Sequence, residues 1–216
     1  HTYIAKDASI NDAIDQMRHA ATRALLERDD VIVVASVSCI YGIGDKDTYR
    51  EMLLELNVGE TLRRDRFLRR LVDIQYRRND YSFSRGTFRA RGDTIEVFPT
   101  YADDEAIRVS FWGDEIEALS LIDPITGRQR AALDRVTIYP GSHYVTPAER
   151  MKGAIKAIRA ELGGRLQFFH ASGHHEEAER LADRTEFDLE RLAQWGFCTG
   201  IENYSRHLTG RRLLYS

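Results

Sequence analysis

RRNDYSFSRGTFRARGDTIEVFP, residues 77–99, decides the fold of this chain. Thr87-Phe88-Arg89-Ala90-Arg91 leads into Gly92-Asp93, and Thr94-Ile95-Glu96-Val97-Phe98 leads out. Alternation of period two on both sides of a Gly-Asp pair predicts a β-hairpin. One face would carry Phe88, Ala90, Ile95 and Val97, and the other Arg89 and Arg91. Arginine standing out from a rigid strand is a gripping surface, so the question is what it grips.

The surrounding charge is segregated. Residues 63–91 hold ten Arg, no Lys and three Asp, an excess of seven positive charges. Residues 93–117 hold eight acids against Arg108 alone, an excess of seven negative charges. Such separation predicts a dipolar module with a basic face. The use of Arg alone points to a shaped acidic target, carboxylate or phosphate, because the guanidinium is a planar fork of donors. On composition, nucleic acid and an acidic protein surface are rival targets, and a merely solvated basic helix is the plain alternative. The net charge of −3 over 216 residues rules out a wholly basic nucleic-acid magnet.

Outward from the hairpin, 65–76 is predicted as a helix with Phe67, Leu68, Leu71 and Ile74 inward. Residues 107–112 and 116–122 alternate as strands around Gly113-Asp114, and 136–139 is a further short strand. Together 51–140 predicts an α+β module with an antiparallel sheet. Upstream, a helix over 10–28 with Ser9 as its cap precedes the β-branched run 31–36, which predicts a strand buried on both faces. A helix from Asp45 or Asp47 to about Leu56 follows. Downstream, Thr146-Pro147-Ala148-Glu149 predicts a helix start with Thr146 as cap. That helix is expected to break at Gly163-Gly164, and another to end at Gly196. The fold class is mixed, α+β with α/β.

Other chemistry is thinly signalled. Gly42-x-Gly44 lacks the remaining residues of a phosphate loop. His174-His175 with Glu176-Glu177 offers metal ligands but also suits a solvated helix start. Asp103-Asp104-Glu105 falls in a predicted turn, and Cys39 has no partner base in evident spacing. Two distant cysteines, Cys39 and Cys198, argue against a zinc site or disulfide framework and fit a reducing cytoplasm. No apolar run is long enough for a membrane span.

Four segments carry a more specific signal: TYIxKDASIN at 2–11, VIVVASVSCIYGIGD at 31–45, LVDIQYRRND through RGTFRARGDTIEVFP at 71–99, and GFCTGIENYSRHLTGR at 196–211. In order and spacing they resemble the UvrB family, damage-verifying subunits of bacterial nucleotide excision repair. The likeness covers essentially the whole chain, as an internal piece between the family's Walker A and Walker B motifs. It implies three parts. Residues 1–52 would belong to a helicase-like α/β domain with the end of a DNA-clamping hairpin. Residues 53–142 would be an inserted UvrA-interaction domain, and 143–216 a helical domain facing the hairpin.

The resemblance further implies UvrA contacts at Arg78, Arg89, Arg91 and Arg108. It implies DNA contacts at Tyr3, Lys6, Arg18, Ser36, Ser38, Asn203, Tyr204 and Arg206. Damaged DNA and UvrC would be partners in the excision nuclease of the SOS response, in the cytoplasm and away from any membrane. No cofactor is expected in this segment; ATP and Mg belong to the full-length parent, so this chain is not expected to be an enzyme. Ala5 and Ser110 stand where the family usually has acids. A transcription-repair coupling factor is the neighbouring family, and SVSCIYG and GIENYSRH favour UvrB over it. A direct DNA-binding module is the other alternative.

Overall fold

The computed structural model describes residues 12–35, 46–143 and 145–209. They form two compact units, one joining the first helix to residues 54–141 and the other joining residues 46–53 to the helices beyond residue 141.

In the first unit, β3 (Thr87–Arg91) and β4 (Thr94–Phe98) form the expected hairpin. Arg91 pairs with Thr94, leaving a two-residue loop in which Gly92 has φ +56°. Positive φ at the first loop position suits glycine and matches strand twist. The same device at Gly113, φ +61°, joins β5 (Ala106–Trp112) to β6 (Glu115–Ile122). With β2 (Arg77–Arg78) and β7 (Gln129–Leu133) these make a six-stranded sheet in the order β2-β3-β4-β5-β6-β7, antiparallel except for the β2–β3 pair.

One face of that sheet is the core. Phe88, Ile95, Val97, Ile107, Val109, Phe111, Ile116 and Leu119 are buried there. Helix α3 (Arg64–Asp73) contributes buried Phe67 and Leu71, with the Phe67 and Phe111 rings 6.0 Å apart. A fully buried Phe or Leu stabilises by roughly 1.5–3 kcal/mol, so this layer anchors the sheet from one side. Helix α1 (Asp12–Glu27) attaches to the same unit. Gln16 donates to the Ala102 carbonyl at 3.2 Å, the Tyr139 hydroxyl donates to Glu27 at 2.9 Å, and the Arg23 guanidinium lies 4.6 Å over the Tyr101 ring.

Several expectations are corrected. Residues 31–35 are irregular, with Ile32 92% and Val34 95% exposed. A doubly buried strand needs hydrogen-bonding neighbours on each side, and none of the described residues supplies them. The helix expected to reach Leu56 is the short α2 (Lys46–Glu51). Leu54–Asn57 is instead strand β1, paired antiparallel with β8 (Arg135–Ile138). Strand β7 was not expected; its exposed QRAAL sequence carries little β signal.

In the second unit, α4 (Ala148–Ala171) and α5 (His175–Trp195) are followed by a 3-10 turn (Ile201–Tyr204) and α6 (Ser205–Thr209). Met151, Ala154, Ile158, Leu189, Leu192, Cys198, Ile201 and Leu208 form its core. Within 196–207, Cys198 and Ile201 contribute to this core. Thr146 makes no cap; Pro147 occupies the cap position without a side-chain bond. Gly196 closes α5 in the left-handed region, as expected.

Helix α4 also runs unbroken through Gly163-Gly164. Each glycine costs about 1 kcal/mol relative to Ala, and packing along α4 offsets that. A Cβ at either position meets nothing within 4 Å. Gly163→Ala with Gly164→Ala is therefore expected to raise stability by about 1–2 kcal/mol in denaturant unfolding.

Candidate protein-docking face

The sheet face opposite the core is set by register. Arg89, Glu96, Arg108 and Ser120 lie in one cross-strand row over β3, β4, β5 and β6. Arg91, Thr94, Ser110 and Ala118 form the next row.

Glu96 is the pin of the first row, with its side chain only 8% exposed. Arg89 donates to it through Nε in a short hydrogen bond. Arg108 donates to Oε1 through Nε at 2.8 Å and through Nη2 at 2.6 Å. A carboxylate buried this far from water requires such pairing. Each guanidinium has a second anchor. Arg89 lies 4.3 Å over the Phe83 ring, and Arg108 donates to the Gly127 carbonyl at 2.9 Å. Gly127 is itself fixed by the 123–128 turn, where Asp123 accepts from the Ile125 and Thr126 amides at 2.9 and 2.8 Å. Two arginines against one glutamate leave one net positive charge, held rigidly and partly open: Arg89 is 16% exposed and Arg108 28%.

Arg91 is exposed in the next row. Arg78 lies on β2 opposite Phe88, one register step from Arg89, and is bridged to Asp80 at 3.0 Å. Asp80 also accepts the Ala90 amide at 3.0 Å, tying the 79–82 loop to the edge of the hairpin. Of the four arginines singled out by sequence, then, Arg89 and Arg108 converge on one carboxylate. Arg91 flanks them on the same face, and Arg78 sits at the edge with its own partner. Ser110 is half-buried beside Thr94, a small uncharged side chain in the row that Arg91 begins.

Sequence reasoning missed Glu96, Phe83, Asp80 and Gly127. The hairpin register alone could have placed Glu96 opposite Arg89. Asp104 and Glu105 prove to be held by Arg130, at 2.8 and 3.9 Å, which also meets Asp123 at 3.0 Å. They serve as its counterions.

Burial alone would raise the Glu96 carboxyl, but the hydrogen bonds and charges of Arg108 and Arg89 outweigh it and hold the group below its ordinary 4.5. Asp123 is pushed down to about 2, chiefly by the Thr126 amide and then by Arg130. Lowered carboxyl values mean stability that is full above the unfolded-state range and lost as pH falls through the folded values. Loss of the sheet module's circular dichroism is expected between about pH 4.5 and about pH 2. Glu96→Gln should flatten that acid transition.

The proposed DNA contacts fall elsewhere. Tyr3, Lys6, Ser36 and Ser38, and with them Cys39 and Ala5, lie outside the described residues. Arg18 is half-buried on α1. In the second unit Asn203 and Arg206 are exposed. Arg206 lies 3.8 Å from Glu161, which also meets His207 at 2.8 Å. Tyr204 is turned inward, its hydroxyl donating to buried Asp188 at 2.8 Å. Burial and that carboxylate push the phenol well above its ordinary range, so it is a fixed donor. Among the described residues no helix is long and apolar enough to cross a membrane.

Comparison with known proteins places these units. Residues 54–144 match the UvrB interaction domain family and residues 149–210 the UvrB third helical domain family. The chain is 56% identical over 210 residues to the UvrABC system protein B of Dehalococcoides mccartyi, covering 97% of this chain and 32% of that protein. Against the same-named protein of Symbiobacterium thermophilum it is 56% identical over 211 residues, covering 98% and 32%. Against that of Bacillus subtilis it is 54% identical over 210 residues, covering 97% and 32%. The chain spans about a third of the length of the curated relatives it matches.

Proposed function

Because this chain belongs to the UvrB family, we propose that it is the UvrA-docking and DNA-facing portion of a nucleotide excision repair subunit. The arginine row pinned by Glu96 carries the reading. Three guanidinium groups on one sheet face, two of them immobilised by a shared carboxylate, are pre-organised for carboxylates on a protein partner. Fixing the side chains beforehand removes much of the ordering cost of association. Complementary charge also raises the on-rate and sets the docking register. Nucleic acid fits less well, since Glu96 cancels one charge of the row, and a phosphate track favours a longer run of cations. Arg91 is the open recognition residue, Arg89 and Arg108 the rigid pair behind it, and Arg78 an edge contact.

In the same reading the helical unit faces DNA through Asn203 and Arg206, with Tyr204 shaping that surface through Asp188. Tyr3, Lys6, Arg18, Ser36 and Ser38 are further DNA contacts in that reading. UvrC acts downstream, and ATP with Mg works in the remainder of the longer subunit.

Titration against UvrA and against duplex DNA at several salt concentrations tests the assignment of the arginine face. We expect association with UvrA to slow several-fold between about 50 and 200 mM salt, as steered encounters do. Loss of Arg91 should leave DNA affinity unchanged. Tight duplex binding with a steep log–log salt slope that depends on Arg91, and no response to UvrA, would transfer the arginine face to DNA.

A further inference from the structure

The turn between α4 and α5 concentrates three of the chain's seven histidines within six residues: His170, His174 and His175. His170 closes the last turn of α4, and His175 is the first residue of α5. In an unbroken helix, positions five apart project from different faces. Here Gly173, at φ +78°, reverses the chain. The reversal is closed by backbone bonds from Gly173 to the His170 carbonyl at 3.2 Å and from His174 to the Phe169 carbonyl at 2.9 Å. The two imidazoles therefore face one another, with Nδ1 of His170 3.1 Å from Nδ1 of His175 and ring centroids 5.4 Å apart. His174 is turned aside, its ring edge-on to Phe169 at 6.2 Å.

We infer that His170 and His175 form a two-imidazole site for a divalent transition metal. At metal–nitrogen distances of about 2.0–2.1 Å, two nitrogens on one ion lie about 2.9 Å apart at a right angle and about 3.4 Å apart at the tetrahedral angle. The observed separation falls between these limits, so an ion fits between the two nitrogens with little movement of either ring. Both histidines are exposed, which leaves the remaining positions to water. Neutral imidazole selects zinc, nickel and copper over magnesium and calcium. Glu176 and Glu177 begin α5 beside the pair and offset the added charge. A metal held by one residue from each helix staples the α4–α5 hairpin and stabilises the folded form by mass action. This inference is independent of the docking face.

Calorimetric titration of the chain with zinc and with nickel, paired with thermal unfolding, tests it. One ion per chain at micromolar affinity is expected, with Tm raised by a few degrees and restored by a chelator. His170→Ala and His175→Ala should each weaken binding at least tenfold, whereas His174→Ala should leave it unchanged. All three positions are exposed, so circular dichroism should remain that of the parent chain. No binding, no Tm shift, or binding that survives the His170→Ala/His175→Ala double variant would overturn the site.

Discussion

Glu96→Ala is expected to lower the stability of the sheet unit by about 3 kcal/mol in urea unfolding, a large share of a small domain's total. The substitution removes the carboxylate that Arg89 and Arg108 share and leaves two guanidinium groups side by side. Their own stability depends on it: Arg89 is deeply placed against Phe83, and Arg108 is directed into the 123–128 turn. Breaking a fully buried pair costs about 3–5 kcal/mol. The partial exposure of both arginines places the expected loss at the lower end. Glu96→Gln keeps an acceptor but not the charge, so it should cost roughly half as much. If Glu96→Ala left the unfolding midpoint unchanged, the pinned row would not exist as described.

The second large effect falls on binding. Arg89→Ala combined with Arg91→Ala is expected to weaken association with UvrA by about 10- to 1,000-fold, the range of about 1.4–4 kcal/mol spanned by arginine hot spots. The fold should survive at some cost in stability, because Arg108 still donates twice to Oε1 of Glu96 while Oε2 loses the bond from Arg89. Of the two changes, Arg91 carries the direct loss of contact. Arg89 adds a change in how Arg108 and Glu96 are set. A loss in the double variant well beyond the sum of the single variants would show that the row acts as one unit.

How much of this was legible follows from where each signal lives. The hairpin was read correctly because both causes are local: a two-residue Gly-Asp loop and strict alternation. Its register was legible too, and the opposition of Arg89 and Glu96 follows from it. Read as a run of charge, though, the arginines look like a free basic face, and the buried acid among them is passed over. Strand β1 was hidden because Leu54–Asn57 pairs with β8, about eighty residues away, beyond any local window. Strand β7 owes its existence to the open edge of β6 and not to its own residues. In the other direction, 31–36 has the sequence of a buried strand, but a strand is made by its neighbours. Gly163-Gly164 punctuates the sequence and not α4, because packing along the helix outweighs local propensity. The tilt of Tyr204 into Asp188 was likewise invisible, since buried polar pairing depends on the approach of two helices.

We propose that an exposed arginine, backed by a rigid Arg–Glu–Arg row, docks this chain onto UvrA. Calorimetric titration of UvrA with the chain and with its Arg91→Glu variant tests it most directly. Arg91 is exposed and outside the core, so the reversal alters the charge of the docking face while leaving the fold intact by circular dichroism. Affinity is expected to fall at least a hundredfold. Equal affinity of the two chains for UvrA, with the fold intact, would contradict it.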